Sequence, residues 1–320
     1  MPFFIRRWFL KGRTWVSLLL IYIIWGSTYL AIRFAVETIP PLLMAATRFL
    51  VPGIILYAWQ RLKGEDKPTL KEWKSTGIIG LLLMLGGNGG VTWAEQYLPS
   101  GLAALIIGSV PLWIIVINMV VHRDQAHPKS IIIGAVIGFL GIALLIGPDQ
   151  FINSSPRVNL FAIIALLLAA FFWSLGSIYS RTAIMHKSPL MANSMEFLTG
   201  GMGLLLSGLL IGEGSHFHLQ AITLKSVLSL SYLIIFGSLI GFVAYTWLLR
   251  NAPISLVSTY AYVNPVIAIF IGNWLANEPL NLRIIISALV IISSVFMINT
   301  LTLRSSRSKK VEEQVTQTGE

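Results

Sequence analysis

The sequence predicts an all-α integral membrane protein with ten transmembrane helices, built as two inverted five-helix repeats with both termini cytoplasmic. Three observations predict it. The 320 residues are 55% hydrophobic and 11% charged, with a mean hydropathy of +0.77, which lies outside the range of soluble domains. Apolar windows of about twenty residues, the length that crosses a ~30 Å hydrocarbon core, recur along the chain. The two halves of the chain also repeat one another.

The windows fall near 15–34, 41–59, 75–96, 101–121, 130–147, 158–180, 190–212, 226–249, 254–275 and 283–302. The first follows "MPFFIRRWFLKGR", a basic start of the kind that precedes a cleaved leader. The apolar run after it is about twenty residues long and has no small-residue cleavage site, so it reads as a retained span. The longest breaks, "QRLKGEDKPTLKEWK" and "GEGSHFHLQ", are too short to hold a soluble domain. Two five-helix units, 15–147 and 158–302, are therefore expected, followed by a polar tail, 303–320, whose composition predicts cytoplasmic disorder. With the N-terminus inside, 18 of the 23 Lys and Arg residues fall on the cytoplasmic side. Only Arg33, Arg157, Lys225 and Arg283 fall outside, and the remaining one, Arg48, is inside a span. This asymmetry supports an even number of spans.

A shift of 148 lays Trp25 on Trp173, Arg33 on Arg181, Pro41 on Pro189, Phe49 on Phe197, Leu50 on Leu198 and Gly53 on Gly201 without a gap. A shift of 154 lays Gly87 on Gly241, Thr92 on Thr246, Trp93 on Trp247, Pro99 on Pro253 and Pro111 on Pro265, and pairs Asp124 with Glu278. The matches are Trp, Pro, Gly and Arg rather than interchangeable aliphatics. Five spans per unit is an odd number, so the second unit must run opposite to the first. Inverted repeats of this kind recur in secondary transporters, where two pseudo-symmetric halves exchange conformations around a midplane site.

The residues that carry the repeat also carry a resemblance. "WGSTYLAIRFA" followed by "PPLLMAATRF", then "WAEQYLPSGLAALIIGSVPL" and "WLLRNAPISLVSTYAYVNPVIAIFIGNWLANEPL", resemble the EamA-type permeases of the drug/metabolite transporter superfamily. The resemblance runs from about Trp15 to Leu301. It implies a ten-helix carrier of the bacterial plasma membrane that works without ATP hydrolysis and often exports amino acids, metabolites or toxic compounds. The chain departs from it in two ways. The first span lacks the glutamate of the small multidrug relatives, and the second unit has Glu196-Phe197 where the first has Arg48-Phe49.

Composition excludes other classes. The net charge of +10 is concentrated at the ends of apolar segments, where topology requires it, so nucleic acid is not an expected partner. There is no cysteine, and all five histidines lie in polar connections. With neither in any span, no metal, no cofactor and no enzymatic centre are expected. No G-x-x-x-x-G-K-[ST] loop is present to bind ATP. The expected partners are a small solute and membrane lipid, with proton coupling. Gly134 and Gly138 have the small-xxx-small spacing of close helix packing or of a homodimer.

Polar groups inside the spans are the candidate site. A charge near the bilayer centre costs roughly 2.5–3.5 kcal/mol on insertion scales. Arg48 therefore has to face protein or a water-filled path, either tying neighbouring helices together or meeting an anionic group of a solute. Glu196, its repeat counterpart, reads as a proton carrier, as an amine partner, or as a packed structural carboxyl. Asn88, Thr92 and Glu95 share a helix face, with Gly86, Gly87, Gly89 and Gly90 allowing close approach there. Glu95 is a second coupling candidate, or reaches the outer interface. Trp25 with Tyr29, and Trp173, lie mid-span and either wall a cavity or pack as plain aromatics; Trp93 and Tyr262 complete the substrate-binding set. Pro111 and Pro265 each remove a backbone hydrogen bond and are candidate hinges, freeing the carbonyls of Ile107 and Ala261. The function these features support is secondary active efflux of a small organic solute by alternating access, with uptake as the alternative.

Overall fold

The computed structural model describes residues 3–121, 129–146, 159–252, 254–257, 259–297 and 300. Asp124 and the 303–320 tail lie outside them.

The described chain is helical, and helix lies in each of the ten predicted windows. Six helices are long and apolar enough to cross a membrane: Gly12–Ala35, Pro41–Leu62, Leu70–Ala94, Ser100–Ile117, Leu160–Tyr179 and Leu224–Leu248. The apolar stretches Ile132–Leu145, Val263–Ala276 and Leu282–Met297 are shorter. In chain order, α1 is Phe3–Ala35 and α2 Pro41–Leu62. The third region is α3 Leu70–Gly80, a π-helix π1 Leu81–Gly89, and α4 Gly90–Ala94. Then come α5 Ser100–Ile107, α6 Val110–Val121, α7 Lys129–Ile146, α8 Leu160–Tyr179 and α9 Pro189–Leu210. The eighth region is again composite: α10 Leu224–Tyr232, π2 Leu233–Ile240 and α11 Gly241–Asn251. The chain continues with α12 Ile254–Val257, α13 Tyr260–Ala276 and α14 Leu282–Met297.

Helix starts follow local chemistry. Pro41 and Pro189, a repeat pair, open α2 and α9 at a position where no N–H is needed. Thr69 and Glu72 form a capping box on α3, and the Asn159 side chain accepts from the Phe161 and Ala162 N–H groups of α8. Gly212, at φ 85°, supplies the left-handed residue that ends α9.

The halves meet on the residues that repeat. α2 packs against α9 with Phe49 and Phe197 at 5.6 Å between ring centroids. A Cβ on Gly53 would lie 3.2 Å from the Leu198 side chain, and one on Gly201 2.9 Å from that of Leu50. The contact of Gly53 with Leu198 is thus matched by that of their repeat equivalents, Gly201 with Leu50, as in a self-complementary two-fold interface. Gly138 faces Leu112 and Ser294, and Gly141 faces Ile291, so the small face of α7 is packed within the chain.

Candidate functional site

Residues of both halves line a cavity of about 80 Å³. A buried water needs on the order of 10–15 Å³, so the space holds a few waters and a larger solute must part its walls. α1 contributes Trp25, Thr28 and Tyr29, α2 contributes Arg48, and π1 contributes Gly87 and Asn88. Trp173 comes from α8, Phe242 from α11, and Tyr260, Ala261, Asn264 and Pro265 from α13.

The aromatic wall is fixed around Trp25. Its ring stands edge-on to Trp173 at 6.3 Å and to Tyr260 at 5.4 Å, and is tilted against Phe242 at 5.3 Å and Tyr245 at 5.0 Å. Its Nε1 donates to the Gly237 carbonyl in π2 at 3.2 Å, which supplies the partner a buried indole needs. The two tryptophans are seated by a swapped pair of glycines. A Cβ on Gly241 would lie 2.5 Å from Trp25 Nε1, and a Cβ on Gly87 would lie 2.9 Å from Trp173 Cε3. Trp25 of the first half therefore rests on the glycine of the second, and Trp173 on the glycine of the first. No side chain larger than hydrogen fits either place without displacing the ring.

Arg48 is 3% exposed. Its guanidinium carbon lies 5.0 Å from the Phe49 ring centroid, and the missing side chain of Gly237 makes room for Nη2, to which a Cβ there would come within 3.3 Å. Nε and Nη1 are buried without a hydrogen-bond partner among the described residues. Of the described residues lining the cavity, Arg48 carries the one charge. Asn88 Nδ2 donates to the Leu83 carbonyl five residues back, within π1, and its own carbonyl accepts from Thr92 Oγ1.

The interrupted helices also open here. α5 stops at Ile107, and α6 restarts at Val110 with Pro111 in its first turn. Pro111 therefore stands at a break, not inside a continuous helix, and the Val110 carbonyl accepts from Ser174 Oγ at 3.0 Å. Pro265 is inside α13. Gly108, at the break, lies against Pro265 Cγ and the Ala261 carbonyl, so the two proline regions touch across the halves.

The model of the EamA-like transporter family matches residues 13–147 and again 160–300. An uncharacterized inner membrane transporter of Escherichia coli K12, YedA, is 37% identical over 287 residues, which is 87% of this chain and 89% of YedA. The chain belongs to the EamA-like transporter family. The uncharacterized transporter YoaV of Bacillus subtilis is 26% identical, over 90% of this chain and 96% of YoaV. A solved crystal structure at 18% identity superposes with a TM-score of 0.63 over 92% of this chain and 98% of its own, showing the same fold. The protein is a multi-pass membrane transporter.

Within this EamA-type fold, Trp25, Tyr29, Arg48, Asn88 and Trp173 come together on one cavity. Trp93 lies apart, packed on Tyr97 at 5.2 Å. The side chain of Tyr262 lies outside the described residues. Glu196, 6% exposed, is on α9 but not on the cavity wall; Gly80 packs against its backbone carbonyl. Glu95 is fully buried at the end of α4, both carboxyl oxygens lacking a hydrogen-bond partner among the described residues, and is within electrostatic reach of Arg48, Arg33 and Glu278. Two acidic residues outside the candidate set serve as helix caps. Glu278 accepts from the Ser100 and Gly101 N–H groups at 2.7 and 3.0 Å and pairs with Arg33 Nε at 3.6 Å. Glu213 accepts from the Leu42 and Leu43 N–H groups at 3.1 and 2.9 Å. Both lie in short connections between apolar runs, where nothing local marks a cap for a helix elsewhere; Glu278 was marked only by its repeat pairing with Asp124.

Proposed function

We propose that this transporter is a secondary carrier of the bacterial plasma membrane that exports a small organic solute by alternating access. In this reading ten spans form two inverted five-helix units, both termini are cytoplasmic, and the units rock about the cavity they share. The observation that carries it is the swapped seating of Trp25 on Gly241 and of Trp173 on Gly87 at that cavity. Two equivalent contacts, related by the repeat, can loosen and tighten in turn, exposing the cavity first to one side and then to the other. Trp25, Tyr29, Arg48, Asn88 and Trp173 would meet the solute. The break before Pro111 and the proline of α13 would be the hinges.

Glu95 and Glu196 are the coupling carboxyls in this reading. Glu95 is within electrostatic reach of Arg33 and Tyr29 of α1, Arg48 of α2 and Glu278 after α13, so a proton gained or lost there changes the charge near the site. Purified protein in proteoliposomes should transport at least one member of a broad amino-acid, organic-acid and metabolite panel saturably, with a rate that responds to an imposed proton gradient. Glu95→Gln should remove that response. Flux no faster than in empty vesicles across the whole panel, with and without the gradient, would rule the carrier out.

A further inference from the structure

The cavity wall identifies the kind of solute it suits. A buried arginine normally has its N–H donors occupied, because leaving a buried charged donor unpaired costs more than any single hydrogen bond returns. Arg48 has two donors, Nε and Nη1, buried and unused. Both belong to one planar, permanently charged guanidinium, whose N–H donors suit the oxygens of a carboxylate. The carboxyl nearest in charge, Glu95, is fully buried outside the cavity lining and gives Arg48 no hydrogen bond. Beyond the guanidinium the wall is Trp25, Trp173, Phe242 and Tyr260, with no acidic residue among the described lining residues. An ammonium group would find ring faces and amide oxygens there but no counter-charge. Ring faces return only about 0.5–2 kcal/mol to a cation.

We propose, building on the carrier reading above, that the solute is a small organic acid: a carboxylate seated on Arg48, a flat apolar body against the aromatic wall, and no ammonium group. A site with a fork of donors at one end and rings at the other rejects neutral and cationic analogues chiefly through the unpaired guanidinium they leave behind.

Four probes of one shape test it: benzoate, benzamide, benzylamine and phenylglycine. Their saturable binding to the purified protein in detergent would be measured at neutral pH by competition against radiolabelled benzoate. Benzoate should bind at least about tenfold more tightly than each of the other three, a difference of about 1.4 kcal/mol. Arg48→Gln should bring benzoate down to the level of benzamide, while Arg48→Lys, which keeps the charge but loses the fork, should fall between. If Arg48→Gln does not fold, the wild-type ranking still decides. Benzamide or benzylamine matching benzoate, phenylglycine matching benzoate, or no benzoate binding at about millimolar concentration would each overturn the proposal. Any of these alongside saturable flux of another solute would sink the organic-acid assignment and leave the carrier standing.

Discussion

Arg48 shows how far one residue can be read. An arginine in an apolar run has to find protein or a polar space, and hydropathy alone says so. Its burial, its unused donors and its place on the wall depend on what α1, π1 and π2 bring beside it. Gly87 and Gly241 are the complementary case: the repeat pairs them, but only packing shows that each seats the other half's tryptophan. Gly241→Ala should therefore destabilise the protein by about 1–3 kcal/mol through overpacking, read as a lower midpoint in thermal unfolding in detergent. Adding Trp25→Phe, which removes the indole nitrogen that the new methyl meets, should recover part of the loss, giving a coupling of about 0.5–3 kcal/mol. Strict additivity of the two changes would mean that they do not touch. Glu196 was as legible as Arg48 in the sequence, yet it lies off the cavity wall: Gly80 packs against its backbone carbonyl, whereas Arg48 lies beside Gly237 on the cavity.

At the scale of elements, each half has one helix that widens to a π-helix in mid-course, Leu81–Gly89 and Leu233–Ile240. A π-turn shifts the hydrogen-bonding register and is favoured where a helix carries a functional site. Here π1 presents Gly87 and Asn88, and π2 presents the Gly237 carbonyl and the gap beside Arg48. Apolar periodicity gave no hint of either, since an uninterrupted greasy window looks the same with four or five residues per hydrogen-bonded turn. The glycine cluster around Asn88 was the one trace. Helix ends were more legible, because Pro41, Thr69, Asn159 and Pro189 act locally. The long-range caps were not. Glu213→Ala and Glu278→Ala should each cost about 1–2 kcal/mol by exposing two helix-start N–H groups. In thermal unfolding, substitution of the exposed Lys71 should serve as a silent control. A silent Glu278→Ala would show that the cap is not what holds the start of α5.

For the whole molecule, the connections pair as alternation across the membrane would have them. Lys187 bonds Asp66 at 2.6 Å, joining the α2–α3 and α8–α9 connections, and lowers the Asp66 carboxyl pKa below its ordinary value. Lys225 bonds Glu37 at 2.7 Å, joining the α1–α2 connection to the first turn of α10. Both pairs are exposed and add little stability; their worth is as markers of sidedness. The chain has no cysteine, so single cysteines can be introduced against a silent background. A membrane-impermeant maleimide added to intact cells should label Glu37→Cys and Lys225→Cys. Asp66→Cys and Lys187→Cys should react only after the cells are opened. Labelling of Asp66→Cys in intact cells would refute cytoplasmic termini, and labelling of only one member of either pair would refute the inverted arrangement.

The sequence by itself determined the solvent this protein lives in, the helical windows, the repeat and the family, because each follows from composition or from residues at fixed spacing along one chain. It also marked Trp25, Tyr29, Arg48, Asn88 and Trp173, since polar or aromatic groups in mid-span need a reason to be there. Only the tertiary structure decided which of the marked residues share a cavity, that Glu95 is buried beside it while Glu196 is not on its wall, and that Glu213 and Glu278 serve as caps. Those outcomes depend on how helices far apart in sequence rotate against each other. That rotation is set by close contacts such as Trp25 on Gly241, which come from packing rather than from periodicity.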